Sequence, residues 1–460
     1  MTTQARTVVN PPHASALALA SLAALLQACG GGGSSDPTPV PVGPQITSFT
    51  AAGDEHFIGE PVELVAQFTG GTGRIDPGGI DVARGQPVQT GRVAEDTVFT
   101  LTVTDGTTTV TRELEIDVRY RERWRTIDMP FAREQHVTVE LQDGRILVVG
   151  GSDASGGTMP TTNYVFDPDT ETFAELGNII DPRIEHVAVV LQTGDVLVTG
   201  GDVQLPATQE AEIIDARTGV AFPTGAPSVH RIAAAAVLLE DGRVLVTGGY
   251  AVPPLATAEL FDPAAGSFTP TAGNLNYGRA YHSATLLDDG RVLIYGGLTA
   301  GATPAPPELF DPQTETFTAL QPPESIPRLN HVALRLQDGR VGVFGGENLA
   351  AVPLTGNLAF ATSPDRFEPL TPLAQRRTLA RGALLADGRV LLAGGYVSTI
   401  AQADAGTVIV AAAGDASAPG PALGAARVFH TMNRLRTGKL LVIGGRDASQ
   451  APLATAELFE

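Results

Sequence analysis

The sequence predicts an all-β protein, a ring of seven four-stranded blades behind a small sandwich of strands. Three observations predict it. A diglycine recurs seven times, at spacings of 50, 48, 48, 49, 49 and 50 residues. A turn position followed by glycine stands seven residues before every one of those pairs, between short apolar runs. Glycine and proline together make up 86 of the 460 residues while charged residues reach only 17%, a balance that excludes coiled coils and long helical bundles.

The first stretch reads as an address. Residues 14–26 form an apolar run of thirteen, short of the roughly 20 that span a bilayer as a helix but suited to the core of an export signal. Leu26-Gln27-Ala28-Cys29 ends the run, and Cys29 is the only cysteine of the chain. One cysteine rules out an internal disulfide framework and any cysteine-rich zinc site. The segment resembles the lipobox of bacterial lipoproteins, which implies a cleaved signal peptide over 1–28 and a diacylglyceryl group on Cys29. With no acidic residue directly after Cys29, the resemblance implies the outer membrane of a bacterial cell envelope, with the periplasmic or surface face left open. Residues 29–43, rich in Gly, Ser and Pro, read as a flexible tether.

Residues 44–119 show period-2 alternation. Pro61–Phe68 and Thr97–Thr104 are the clearest runs, and Asp105-Gly106 turns the chain into another over Thr108–Val118. About 75 residues of this kind fit a β-sandwich. The stretch Asp76–Gly85 followed by Thr97–Thr104 resembles bacterial Ig-like modules, without the Cys pair and Trp of antibody domains, and implies a spacer.

Residues 120–460 hold the repeat. The diglycines are Gly150-Gly151, Gly200-Gly201, Gly248-Gly249, Gly296-Gly297, Gly345-Gly346, Gly394-Gly395 and Gly444-Gly445. Asp143, Thr193, Asp241, Asp289, Asp338, Asp387 and Thr437 precede the turn glycines, whose positive φ a hairpin needs. A third strand ends in Phe-Asp-Pro at Phe166, Phe261 and Phe310, and a short fourth strand such as Ser267–Thr269 completes the unit. Four antiparallel strands in about 50 residues make one propeller blade. The sequence stops at Leu458-Phe459-Glu460 inside the seventh third strand, so Trp124–Thr126 is expected to supply the missing fourth and close the ring. The repeat resembles the kelch family, which implies a seven-bladed kelch β-propeller over 120–460.

Two polar residues recur with it. An arginine stands ten residues before each turn position: Arg133, Arg183, Arg231, Arg279, Arg328, Arg377 and Arg427. Three residues later come His136, His186, His282, His331 and His430, with Ala234 and Ala380 in blades three and six. Histidines at equivalent positions around a ring lie too far apart for one metal at Zn–N distances near ~2 Å, so they read as structure and no metal or other cofactor is expected. The arginines share a face with the loops after each diglycine, and a crown of seven would form a funnel for carboxylates or anionic sugars. Pairing with Asp167, Asp215, Asp262 and Asp311 would quench it. Blades five and six carry Ala361 and Ala411 there instead, leaving Arg328 and Arg377 less neutralised.

Blade four reads Arg279-Ala280-Tyr281-His282 and resembles the copper-binding segment of galactose oxidase and glyoxal oxidase. Carried over, Tyr281 would be the axial phenolate and His282 an imidazole ligand. Those oxidases also need a Tyr crosslinked to Cys, and Cys29 is assigned to the anchor; they take a further His from a domain after the propeller. Kelch sialic-acid epimerases offer a second enzymatic likeness, with Glu185-His186 and Arg133-Glu134 as local acid–base candidates. The interval from each diglycine to the third-strand Asp position runs only from 13 to 16 residues, with no insertion to build a lid. A binding or scaffold role follows, toward a protein, peptide or glycan at the loop face. A net charge of -20 argues against nucleic acid.

Overall fold

The computed structural model describes residues 43–153, 159–203, 211–300, 305–321, 323 and 327–460. Cys29, the leader and nearly all of the tether lie outside the described residues.

A β-sandwich comes first. One sheet orders Gln45–Ala51, Glu60–Thr69 and Pro87–Val93; the other orders Ile80–Val82, Thr72–Asp76, Thr97–Thr104 and Thr109–Ile116. Period-2 alternation sends Leu64, Ala66 and Phe68 of one sheet inward against Phe99, Leu101 and Val103 of the other. At Asp105 the carboxylate accepts the amides of Thr107 and Thr108 at 2.8 and 2.7 Å, which shapes the expected turn. Tyr120, just past the sandwich, is buried against the propeller: its hydroxyl donates to the Gly438 carbonyl at 2.7 Å and accepts the Ala386 amide at 3.1 Å. Arg92 donates to the Asp169 carbonyl at 3.0 Å. Gly438, Ala386 and Asp169 all belong to turns between blade strands, so the sandwich is seated on the turn face of the propeller.

The propeller has seven four-stranded antiparallel sheets. Innermost strands are Val137–Glu140, Val187–Val190, Ala235–Leu238, Ser283–Leu286, Val332–Arg335, Arg381–Leu384 and Thr431–Arg434. Each second strand, from Ile146–Val149 round to Leu440–Ile443, is four residues long and buried throughout, because it is sandwiched between neighbouring blades as well as inside its own sheet. Trp124–Asp128 pairs with Thr455–Phe459 as the outermost strand of the seventh blade, so the ring closes as its repeat count requires. The hairpins differ in one respect from a two-residue Asp-Gly turn. Leu141 donates to the Arg145 carbonyl and Gly144 to the Leu141 carbonyl, both at 2.8 Å, giving a three-residue loop with glycine in the left-handed position.

The diglycine staples blade to blade. The amide of Gly151 donates to the carbonyl of Arg183 in the next blade at 2.8 Å, and the same bond recurs from Gly201, Gly249, Gly297, Gly346 and Gly395. Gly445 donates to Arg133 at 2.8 Å and completes the circle. Gly151 has φ near 91°, and a Cβ there would come 2.5 Å from the Glu134 carbonyl, so glycine is the residue that fits.

Candidate functional site at the axial mouth

The seven repeated arginines are not a crown. Their exposures run from 0% to 3%. Each guanidinium is drawn into its own blade, where Nη1 donates to the carbonyl of the first diglycine residue, at 2.7 Å for Gly150, 2.9 Å for Gly200 and 3.0 Å for Gly296. In four blades a third-strand glutamate completes the pocket: Arg183–Glu212 at 3.0 Å, Arg231–Glu259 at 2.9 Å, Arg279–Glu308 at 2.6 Å and Arg427–Glu457 at 2.5 Å. The expected aspartate partners sit three residues further on, at the turn, where Asp167, Asp215, Asp262 and Asp311 cap backbone amides instead. Arg328 and Arg377, at 3% and 1% exposure, are no freer than the rest. Buried among carbonyls, these guanidiniums are closed to a ligand, which corrects the anion funnel.

Histidines fill the space between inner strands. His136 Nε2 is 2.9 Å from Thr431 Oγ1 of the preceding blade, His331 Nε2 is 2.9 Å from Ser283 Oγ, and His282 Nε2 is 2.8 Å from Thr247 Oγ1. Burial, with the adjacent arginine charge, holds His136, His186 and His331 down at about 3 and His282 and His430 well below the usual imidazole range. They are neutral packing groups.

What faces the axis is the residue directly before the histidine position. Gln135, Glu185, Ala233, Tyr281, Asn330, Leu379 and Phe429 all have φ between 51° and 57°. The left-handed turn rotates each into the mouth of the ring. Gln135 donates its amide to Phe429, Ala233 to Glu185, Tyr281 to Ala233 and Leu379 to Asn330, at 3.0 to 3.2 Å, forming a partial collar of backbone bonds. Such a conformation costs a non-glycine residue on the order of 1–3 kcal/mol. Because all seven blades adopt it, the backbone is architecture and only the side chain varies.

These residues line a cavity of about 480 Å³ together with His136, His186, His282, His331 and Arg381. Tyr281 donates its hydroxyl to Glu185 Oε2 at 3.1 Å, reaching past Ala233. Burial raises the Glu185 carboxyl above its usual range, and burial together with the neighbouring carboxylate raises the Tyr281 phenol to about 12. Asn330 Nδ2 donates to Glu347 Oε1 at 2.7 Å. Arg446 pairs with the buried Glu134 and lies 5.4 Å over the Phe429 ring. One side of the mouth is thus polar, around Glu185, Tyr281 and Asn330, and the other apolar, around Leu379 and Phe429. Sequence reasoning singled out Tyr281, and Glu185 as an acid–base candidate, and passed over the other five. The signal was there: one position of the repeat carries seven different residues between a constant arginine and a nearly constant histidine.

No family model matches the chain, and no curated protein matches it. Among solved structures, a fungal alcohol oxidase of the AA5 family in complex with copper superposes with a TM-score of 0.62 at 14% identity, over 74% of this chain and 76% of that one. The pair that resembles copper ligands does not converge here. His282 is turned into the wall with Nε2 on Thr247, Tyr281 is held by Glu185, and among the described residues no three His, Cys, Asp or Glu side chains gather to hold a metal ion. These donors do not fit a copper centre. What the likeness and the sheet order establish together is the architecture: an all-β propeller of seven four-stranded blades, a fold the chain shares with that oxidase.

Proposed function

We propose that this protein is a binding module of the bacterial cell envelope whose ligand, a glycan, peptide or protein segment, is taken at the axial mouth. The observation that carries this reading is the ring from Gln135 to Phe429: seven backbone-equivalent positions, seven different side chains, one cavity. Evolution of a repeat keeps what every blade needs; a position free to differ in every blade is where recognition can be written. The lipobox-like Leu26–Cys29 supports anchoring at a membrane through lipid on Cys29, and the sandwich, whose strand order is compatible with an Ig-like module, supports a spacer role. Glycan and peptide arrays probed with wild type, Tyr281→Phe and Phe429→Ala test the reading. Loss of the array signal in the variants is expected; a signal indifferent to both would move the ligand elsewhere. Retention of a Cys29→Ser variant in the membrane fraction would count against the anchor.

One observation favours a second reading. Glu185 and Tyr281 form a carboxylate–phenol pair, both raised by burial, which is an arrangement able to move a proton within the cavity. An epimerase-like activity on sugar acids would need this pair, since Arg133 is buried in its blade and His186, although it lines the cavity, is held neutral down to about 3 by burial. Turnover of sugar acids that disappears in Glu185→Gln would favour it over simple binding. Stoichiometric copper in purified protein, with alcohol oxidation, would favour the oxidase reading instead.

A further inference from the structure

Inner strands begin with Val137, Val187, Ala235, Ser283 and Val332 in blades one to five and with Thr431 in blade seven; blade six alone begins with Arg381. Arg381 lines the axial cavity. Among the described residues its guanidinium makes one hydrogen bond, from Nη1 to the adjacent Ala380 carbonyl at 3.4 Å, and pairs with no carboxylate. Burial pulls it below the usual arginine range with no acidic neighbour to offset the effect, and the groups that feel its charge are the neutral His136 and His430. The repeated arginines differ: all seven are buried more deeply than the half-buried Arg381, every one of them donates to the carbonyl of the first diglycine residue, and four also hold a glutamate. A desolvated guanidinium without a counter-charge is costly for the fold alone. Across the ring, in blade two, stands Glu185, the one carboxylate lining the cavity, and beside Arg381 in blades six and seven are Leu379 and Phe429.

We infer that the axial cavity takes a small organic carboxylate, its carboxylate on Arg381, a hydroxyl or ammonium donor toward Glu185, and an apolar flank on Phe429 and Leu379. This rests on the reading of the mouth as the binding site and specifies what is bound there. A planar guanidinium offers a carboxylate paired donors, and the opposed acid on blade two rejects a second negative charge while accepting a donor. The carboxylate is either that of a free small molecule or the C-terminus of a peptide; both present the same chemistry to Arg381.

The test is calorimetric titration of the full mature protein with 3-phenyllactate, its neutral amide, a short peptide ending in free Phe, and the same peptide amidated. The acids are expected to bind and the amides to bind at least about tenfold more weakly, the scale of one charge-assisted hydrogen bond. Which acid binds tells the two sources apart. Arg381→Gln is expected to lose a similar factor and Arg381→Lys to keep part of the affinity. Without ligand, Arg381→Gln is expected to melt no lower than wild type, since it removes an unpaired charge, and this shows that the variant is folded. Equal binding of acid and amide, full binding by Arg381→Gln, or no binding by either acid at millimolar concentration would each overturn the assignment. If Phe429→Ala then still abolishes a neutral ligand's binding, the mouth survives as the site and only its carboxylate specificity falls. Acid binding that neither Phe429→Ala nor Arg381→Gln weakens would remove the mouth itself.

Discussion

The hydroxyl of Tyr281 donates to Glu185 at 3.1 Å across the blade between them, and it can do so because that blade presents only the methyl of Ala233. Glu185→Gln removes both the charge and the charged acceptor, while burial, the larger cause, persists. The Tyr281 phenol is therefore expected to fall from about 12 toward, but not reach, the ordinary 10.0. Alkaline titration of ring-labelled tyrosine by NMR reads this directly. An unmoved phenol would mean that the two groups do not interact in solution.

Acid should destabilise the propeller through its inner-strand histidines. Each is neutral in the fold, at about 3 for His136, His186 and His331, against 6.5 when exposed. The unfolded chain therefore binds more protons below about 6.5, so stability is full above that value and is lost as pH falls toward 3. Each histidine contributes a slope of about 1.4 kcal/mol per pH unit within the window. Urea melts between pH 7 and 4 should show the loss, and His331→Ala, which imitates the Ala234 and Ala380 of two other blades, should flatten the slope by one histidine's share.

The Arg183–Glu212 pair has both side chains at 0% exposure. Glu212→Ala leaves the guanidinium buried among carbonyls without its counter-charge, and a loss of about 3–5 kcal/mol is expected in denaturant unfolding. A cost below about 1 kcal/mol, the worth of a surface pair, would show that the pocket is wetter than its geometry implies.

Tyr120→Phe should loosen the sandwich without harming the blades. The change leaves the Gly438 carbonyl and the Ala386 amide unpaired at a buried contact, a cost of about 1–3 kcal/mol. Limited proteolysis near residues 119–123 should accelerate in the variant while the melting of the propeller stays in place. Unchanged cleavage would assign the docking to Ile58 and its apolar neighbours.

The ring was legible because its signals are local and repeated. A turn glycine and a diglycine at constant spacing need no tertiary information, and the Trp124 strand followed from counting strands. The arginine partners were not legible: Asp262 and Glu259 are both acidic and close in sequence, and which one faces Arg231 depends on strand parity and on a turn that consumes the aspartate. The mouth was hidden for a different reason. Repeat reading rewards positions that agree, and Gln135, Asn330, Leu379 and Phe429 matter by disagreeing. Arg381 was lost the same way, as an exception at a position otherwise filled by small or β-branched residues.

The docked sandwich gives the molecule a polarity. Glu60, beside the propeller through Gly59 and Lys439, begins a strand whose other end, Thr69, pairs with Gln45, and ten residues at about 3.3 Å each separate the two ends by about 30 Å. The chain thus enters at the far tip of the sandwich, on the turn face, while the cavity opens at the opposite pole. A partner that enters the cavity therefore reaches the propeller from the face opposite the one that carries Gln45 and its sandwich.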